Sequence, residues 1–180
     1  MTFQDGVWYA IHVRSRHEKQ VAATLKGKGI EAYLPLYRSR QQWSDRIKEV
    51  ELPLFAGYVF SQFDPQNQLP ILQSPGVVRI VSFGKELAPV DPRELDQVER
   101  ILQSGLLVAP WPFLKVGDHV TLKHGPLKGL EGVILNVKGN YRLVVSVSLL
   151  QRSVAVEIDS AWVSPAKPSS ARPRQTPLRS

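Results

Sequence analysis

Cysteine is absent from this chain. That absence removes any disulfide framework, any thiolate nucleophile and any cysteine-based zinc site. Long apolar runs are missing too: no segment approaches the roughly 20 apolar residues that a membrane span requires. Near the N-terminus, Arg14, Arg16, Glu18 and Lys19 interrupt anything resembling the apolar core of a signal peptide. The expectation is a soluble, cytoplasmic protein with no membrane partner. Histidine is scarce: His12, His17, His119 and His124 fall in two distant pairs, without HxxxH spacing. A glycine-rich phosphate loop and a nucleophilic serine elbow are also missing. The chain therefore offers no catalytic group, no metal site and no cofactor site, and it reads as a binding protein rather than an enzyme.

Acids are missing from one end. The last residues carry Lys167, Arg172, Arg174 and Arg179 with no Asp or Glu, among Pro and Ser. Such a segment has nothing to bury, and residues 164–180 read as a disordered basic tail. The formal charge of +7 is largely this tail. The body is only mildly basic, which gives modest support for polyanion binding.

The body has ordinary apolar content, 43%, enough to build one medium domain or two small ones. Val7 to Val13 reads as a strand. Ser15 and Glu18 have the spacing of a capping box, opening a helix with an apolar stripe of Val21, Ala22 and Leu25 that Gly27 and Gly29 end. Ile30 to Leu34 reads as a second strand. Leu36 to Leu52 reads as a protruding hairpin with basic arms, turning at Ser44-Asp45, with Trp43 near its tip. Pro53-Leu54-Phe55-Ala56-Gly57-Tyr58-Val59-Phe60 is short, apolar and aromatic. Alternation along it places Tyr58 and Phe60 on one face of a sheet. Asp64-Pro65 and Asp91-Pro92 are N-caps followed by proline at the first helical position. The second of these opens a helix to about Ser104 that buries Leu95, Val98, Ile101 and Leu102. The alternation of strands and helices, with a hairpin between, predicts an α+β domain over residues 7–105: an antiparallel sheet with flanking helices.

Leu106 to Lys115 contains Pro110 and Pro112, which argue against a helix or a central strand, and residues 106–115 read as a linker. Beyond it, short runs rich in Val, Ile and Leu alternate with Gly125-Pro126, Gly139-Asn140 and Gln151-Arg152. That pattern predicts a small all-β barrel over residues 116–163. Its β-branched residues, from Val133 to Ile158, also argue against a helical hairpin in this region.

Trp8-Tyr9, Phe55-Ala56-Gly57-Tyr58-Val59 and the barrel segment Gly125-Pro126-Leu127-Lys128-Gly129-Leu130-Glu131-Gly132, in this order and spacing, resemble the NusG family of transcription elongation factors. The last segment resembles a KOW motif. Within the family, Arg14-Ser15-Arg16-His17-Glu18-Lys19, Tyr33-Leu34-Pro35-Leu36 and Gln42-Trp43-Ser44-Asp45-Arg46 look more like the specialised UpxY and RfaH paralogues than the housekeeping factor. Ala56 departs from the usual Pro, and Leu149-Leu150 stands where the housekeeping factor carries an aromatic.

The resemblance implies a monomeric elongation and antitermination factor whose N-terminal domain sits on the clamp helices of RNA polymerase. Tyr9, Phe55, Tyr58 and Phe60 would form the polymerase patch. Arg14, Arg16 and Lys19 would contact the non-template DNA strand. Lys128, Leu149, Leu150 and Arg152 of the KOW domain would recruit a second partner, a ribosomal protein or Rho. The alternative is a ribosome- or RNA-associated KOW protein with no polymerase role, which would call for a more basic barrel than Lys123, Lys128, Lys138 and Arg142 supply.

Overall fold

A computed structural model describes residues 3, 5–42, 46–111, 117–137 and 139–165. Trp43 with the Ser44-Asp45 turn, the stretch 112–116 and the tail from 166 onward lie outside the described residues.

The first unit is built on β1 (Trp8–Val13), which carries apolar residues on both faces because it is central to its sheet. α1 (Glu18–Gly27) follows, burying Val21, Ala22 and Leu25. β2 (Glu31–Tyr33) leads into an exposed two-stranded hairpin, β3 (Leu36–Gln42) and β4 (Ile47–Pro53). β5 (Tyr58–Gln62) returns to the sheet. A 3₁₀ turn at Pro65–Asn67, capped by Asp64, and the single-turn α2 (Leu69–Leu72) connect it to β6 (Val77–Ile80). The short β7 (Ser82–Phe83) and β8 (Glu86–Leu87) pair with each other, and β9 (Pro89–Val90) pairs with β1. The sheet order is β2-β5-β1-β6, with β1 antiparallel to β5 and β6. α3 (Pro92–Gln103) then runs as its sequence signals predict: the Asp91 carboxylate accepts from the Arg93 N–H, and Leu95, Val98 and Ile101 are buried. This antiparallel sheet with flanking helices is the α+β unit expected from the sequence.

The second unit is a six-stranded antiparallel sheet ordered β10-β14-β13-β12-β11-β15. Its strands are β10 (Val108–Trp111), β11 (Asp118–Leu122), β12 (Glu131–Val137), β13 (Asn140–Val147), β14 (Arg152–Ile158) and β15 (Val163–Pro165). The β-branched run is pleated, as its local preference dictates, and no helical hairpin forms over these strands. Residues 108–111 form an edge strand on β14, with Pro110 opposite Val154. Proline cannot donate to a ladder, but an edge strand does not require every N–H.

Gly132 sits where β12 crosses β13, and a Cβ there would come within 2.6 Å of the Val144 carbonyl oxygen. A backbone atom cannot swing aside as a side chain can. Gly132→Ala is expected to cost about 1–3 kcal/mol through overpacking, read as a lower urea midpoint at constant slope.

The two units touch. α3 packs on β13, and β10 approaches β3. One buried apolar cluster runs from Phe55, Phe60 and the inner face of α3 into Leu143, Val145, Val154 and Val156 of the second sheet.

Candidate functional site

The β1–β5 register decides which aromatic rings share a face. Tyr58 and Phe60 stand opposite His12 and Ala10, whereas Tyr9 stands opposite Ser61. Side chains alternate along a strand, so Tyr9 points to the other side. It packs there with Ile11, Val59 and Phe63, its ring centroid 4.9 Å from that of Phe63. Tyr9 therefore does not share a patch with the other three rings. Phe55 is 2% exposed and Phe60 is fully buried, the two rings meeting edge to face at 5.8 Å. Tyr58 is half-buried, its ring 5.4 Å from that of His12. Tyr58 is thus the ring of the expected patch that keeps an open face in this arrangement.

The turn that presents Phe55 and Tyr58 is fastened from an unexpected direction. Glu18 forms no capping box with Ser15; His17 occupies the N-cap position of α1 without a side-chain cap. Glu18 is buried instead, and its carboxylate accepts the Gly57 N–H at 2.8 Å. Gly57 has φ +84, a conformation other residues seldom adopt, so the Phe55-to-Tyr58 turn needs glycine there. A sequence reading missed this contact because the partner lies 39 residues away.

Beside this turn, Arg14, Arg16 and Lys19 are exposed at the start of α1, as their sequence position suggests. Arg16 holds φ +66, uncommon for a long side chain. The Lys19 ammonium donates to the Glu51 carbonyl at 2.9 Å, tying α1 to the base of the β3–β4 hairpin. A cleft of about 850 Å³ opens here, with walls from α1, the hairpin base, the Phe55 turn and, from the second unit, Trp111, Arg152 and Ser153.

The residues expected to recruit a second partner lie in unlike surroundings. Leu150 is buried and Leu149 is half-buried against the shared apolar cluster. The Ser148 N–H donates to the Glu94 carboxylate of α3, at 3.1 Å to the nearer oxygen. Arg100 of α3 donates to the Lys128 carbonyl at 2.7 Å. This loop end of the second sheet faces the first unit, while Arg152 is exposed at the cleft.

Burial pushes the Glu94 carboxyl above the usual glutamate range, against the opposing effect of the Ser148 N–H. A carboxylate with a raised folded-state pKa binds more protons folded than unfolded, so its contribution to stability falls as pH rises through the window just above the ordinary value. Glu94→Gln keeps an acceptor for Ser148 and removes the charge. The variant is expected to match or exceed the native protein at neutral pH and to lose this part of the pH dependence, as measured by thermal melts from pH 4 to pH 7.

A family model described as "Transcription termination factor nusG" matches residues 6–99. The chain is 25% identical over 172 residues to the transcription termination/antitermination protein NusG of Lactococcus lactis, covering 88% of this chain and 92% of that one. It is 27% identical over 175 residues to the protein of that name in Escherichia coli K12, covering 88% and 96%. A solved structure described as "Domain interaction in Thermotoga maritima NusG" superposes with a TM-score of 0.57 at 21% identity, covering 92% of this chain and 99% of that chain, which speaks to the fold. The family model spans more than half of the sequence, and the chain belongs to the NusG family of transcription termination and antitermination proteins.

Proposed function

We propose that this protein is an elongation and antitermination factor of the specialised UpxY and RfaH kind, and that it binds RNA polymerase through its first unit. The observation that carries this reading is the Phe55-to-Tyr58 turn. It is an aromatic edge held rigid by Glu18 and flanked by exposed cations at the start of α1. A rigid aromatic edge buries large area on a partner at little entropic cost. Phe55, Tyr58 and Phe60 form that edge on the clamp helices, and Tyr9 supports it from the opposite face of the sheet. Binding the closed clamp better than the open one shifts the polymerase toward processive elongation, with no catalytic step.

Arg14, Arg16 and Lys19 then lie toward the exposed non-template strand, where charge supplies affinity. The second sheet serves as the KOW domain, and its Lys128, Leu149, Leu150 and Arg152 surface receives a ribosomal protein or Rho. In the arrangement described above, Phe55, Leu149 and Leu150 of these surfaces are packed in one apolar cluster shared by the units. Engaging either partner therefore requires the units to part.

Arg14→Ala and Arg16→Ala are expected to weaken photocrosslinking to the non-template strand in an assembled elongation complex by severalfold, with polymerase affinity within twofold of native. Unchanged crosslinking in the double variant would remove these residues from the DNA surface.

A further inference from the structure

The cleft between the two units brings together a specific set of side chains. Three aromatic side chains line it: Phe55, which is buried, and Tyr37 from the hairpin and Trp111 from β10, both half-buried. Three exposed cations share it: Arg16 and Lys19 from the first unit and Arg152 from the second. Two acids also lie on its wall. The Glu18 carboxylate is buried and already engaged by the Gly57 N–H, which leaves Glu51 as the exposed acid of the cleft, its backbone carbonyl accepting from the Lys19 ammonium.

Trp111 is held in place before any ligand arrives. The Arg142 guanidinium lies 5.2 Å from its ring centroid, and Glu157 pairs with that guanidinium at 3.0 Å. A pre-positioned ring lowers the ordering cost of binding. The volume of about 850 Å³ falls within the range of sites that enclose a small organic group.

Aromatic planes interleaved with cations are the recurring means of gripping single strands: rings stack on bases while charges follow the phosphates. An acidic peptide would use the cations and leave the Tyr37 and Trp111 rings idle. We propose that this cleft is a subsite for a short stretch of single-stranded DNA, with a base against Tyr37 and Trp111 and phosphates on Arg16, Lys19 and Arg152. The inference rests on the reading that Arg14, Arg16 and Lys19 form a DNA surface, and it concerns the free protein, in which the units are together and Trp111 and Arg152 join that surface. Because the walls come from different units, a bound strand favours the closed arrangement. A polymerase that needs the units apart binds less tightly while the cleft is filled, and the antagonism is reciprocal.

The test is binding of fluorescently labelled dT12 to the full-length protein, followed by anisotropy across a salt series. Arg152→Ala is expected to reduce affinity several-fold and to lower the magnitude of the log–log salt slope by about 0.7, the signature of one lost phosphate contact on a single strand. Trp111→Ala is expected to weaken binding about tenfold, as for loss of one stacked base, with most of it retained in Trp111→Phe. Arg93→Ala, on the exposed side of α3 and away from the cleft, is the control and should leave both affinity and slope unchanged.

Retained affinity and slope in Arg152→Ala and in both Trp111 variants would overturn the two-unit cleft. If Arg16→Ala alone still weakened dT12 in that case, the helix-start DNA surface would stand without it. Tighter binding of rU12 than of dT12, or displacement of dT12 by an equimolar oligoglutamate peptide, would overturn the assignment to DNA.

Discussion

Tyr58→Ala is expected to lower affinity for core RNA polymerase at least tenfold while shifting the melting temperature by only a few degrees. Its ring is half-buried and packs beside His12, so removing it takes away interface area without opening a large hole. Phe55→Ala is expected to behave differently. Its ring is buried against Phe60 in the cluster shared by both units, and truncation should cost about 3–5 kcal/mol. At this chain length that is a fall in melting temperature on the order of 10 °C. Circular dichroism melts beside polymerase binding separate the two effects. A Tyr58→Ala protein that melts normally and binds polymerase normally would show that the ring is packing material only.

Leu149→Asp should have the second large effect. Leu149 packs half-buried at the seam between the units, next to the Ser148 N–H that Glu94 receives. An aspartate there would lie near the Glu94 carboxylate in a partly desolvated interface, and keeping it ionised and buried costs several kcal/mol. Parting of the units relieves that cost, because the strands of the second sheet keep their own ladders. The expected result is an increased radius of gyration by solution scattering with strand content retained by circular dichroism. Polymerase affinity should rise about tenfold, equivalent to removing 1.4 kcal/mol of competing self-association. Unchanged size and affinity would mean that the seam does not limit docking.

The parts of the fold that were legible in the sequence are those set by local chemistry. Asp91-Pro92 opens α3 because a carboxylate and a proline each satisfy the helix start within the same turn. The pairing of Leu36–Gln42 with Ile47–Pro53 follows from two strand-forming runs close in sequence. The β-branched residues of β12, β13 and β14 prefer pleated backbone wherever they are placed. What was not legible depended on distant partners. Ser15 and Glu18 have capping-box spacing, yet Glu18 is drawn to the Gly57 N–H, and no spacing rule reveals that competitor. Pro110 suggested a linker, but an edge strand on β14 tolerates it. Tyr9, grouped with the patch by the family resemblance, faces the other way because of its register with β5, which periodicity within one strand does not supply. The burial of Leu149 and Leu150 comes with contact between the units, which their loop position alone does not reveal.

The central claim is that the Phe55-to-Tyr58 edge meets the polymerase. Its most direct test places a photoreactive phenylalanine analogue at position 58 of the full-length protein and maps crosslinks in a transcribing elongation complex. Efficient crosslinking within the clamp helices, competed by unlabelled native protein, is the expected result. Crosslinks confined to the protein's own second unit, or to polymerase surfaces away from the clamp, would contradict it.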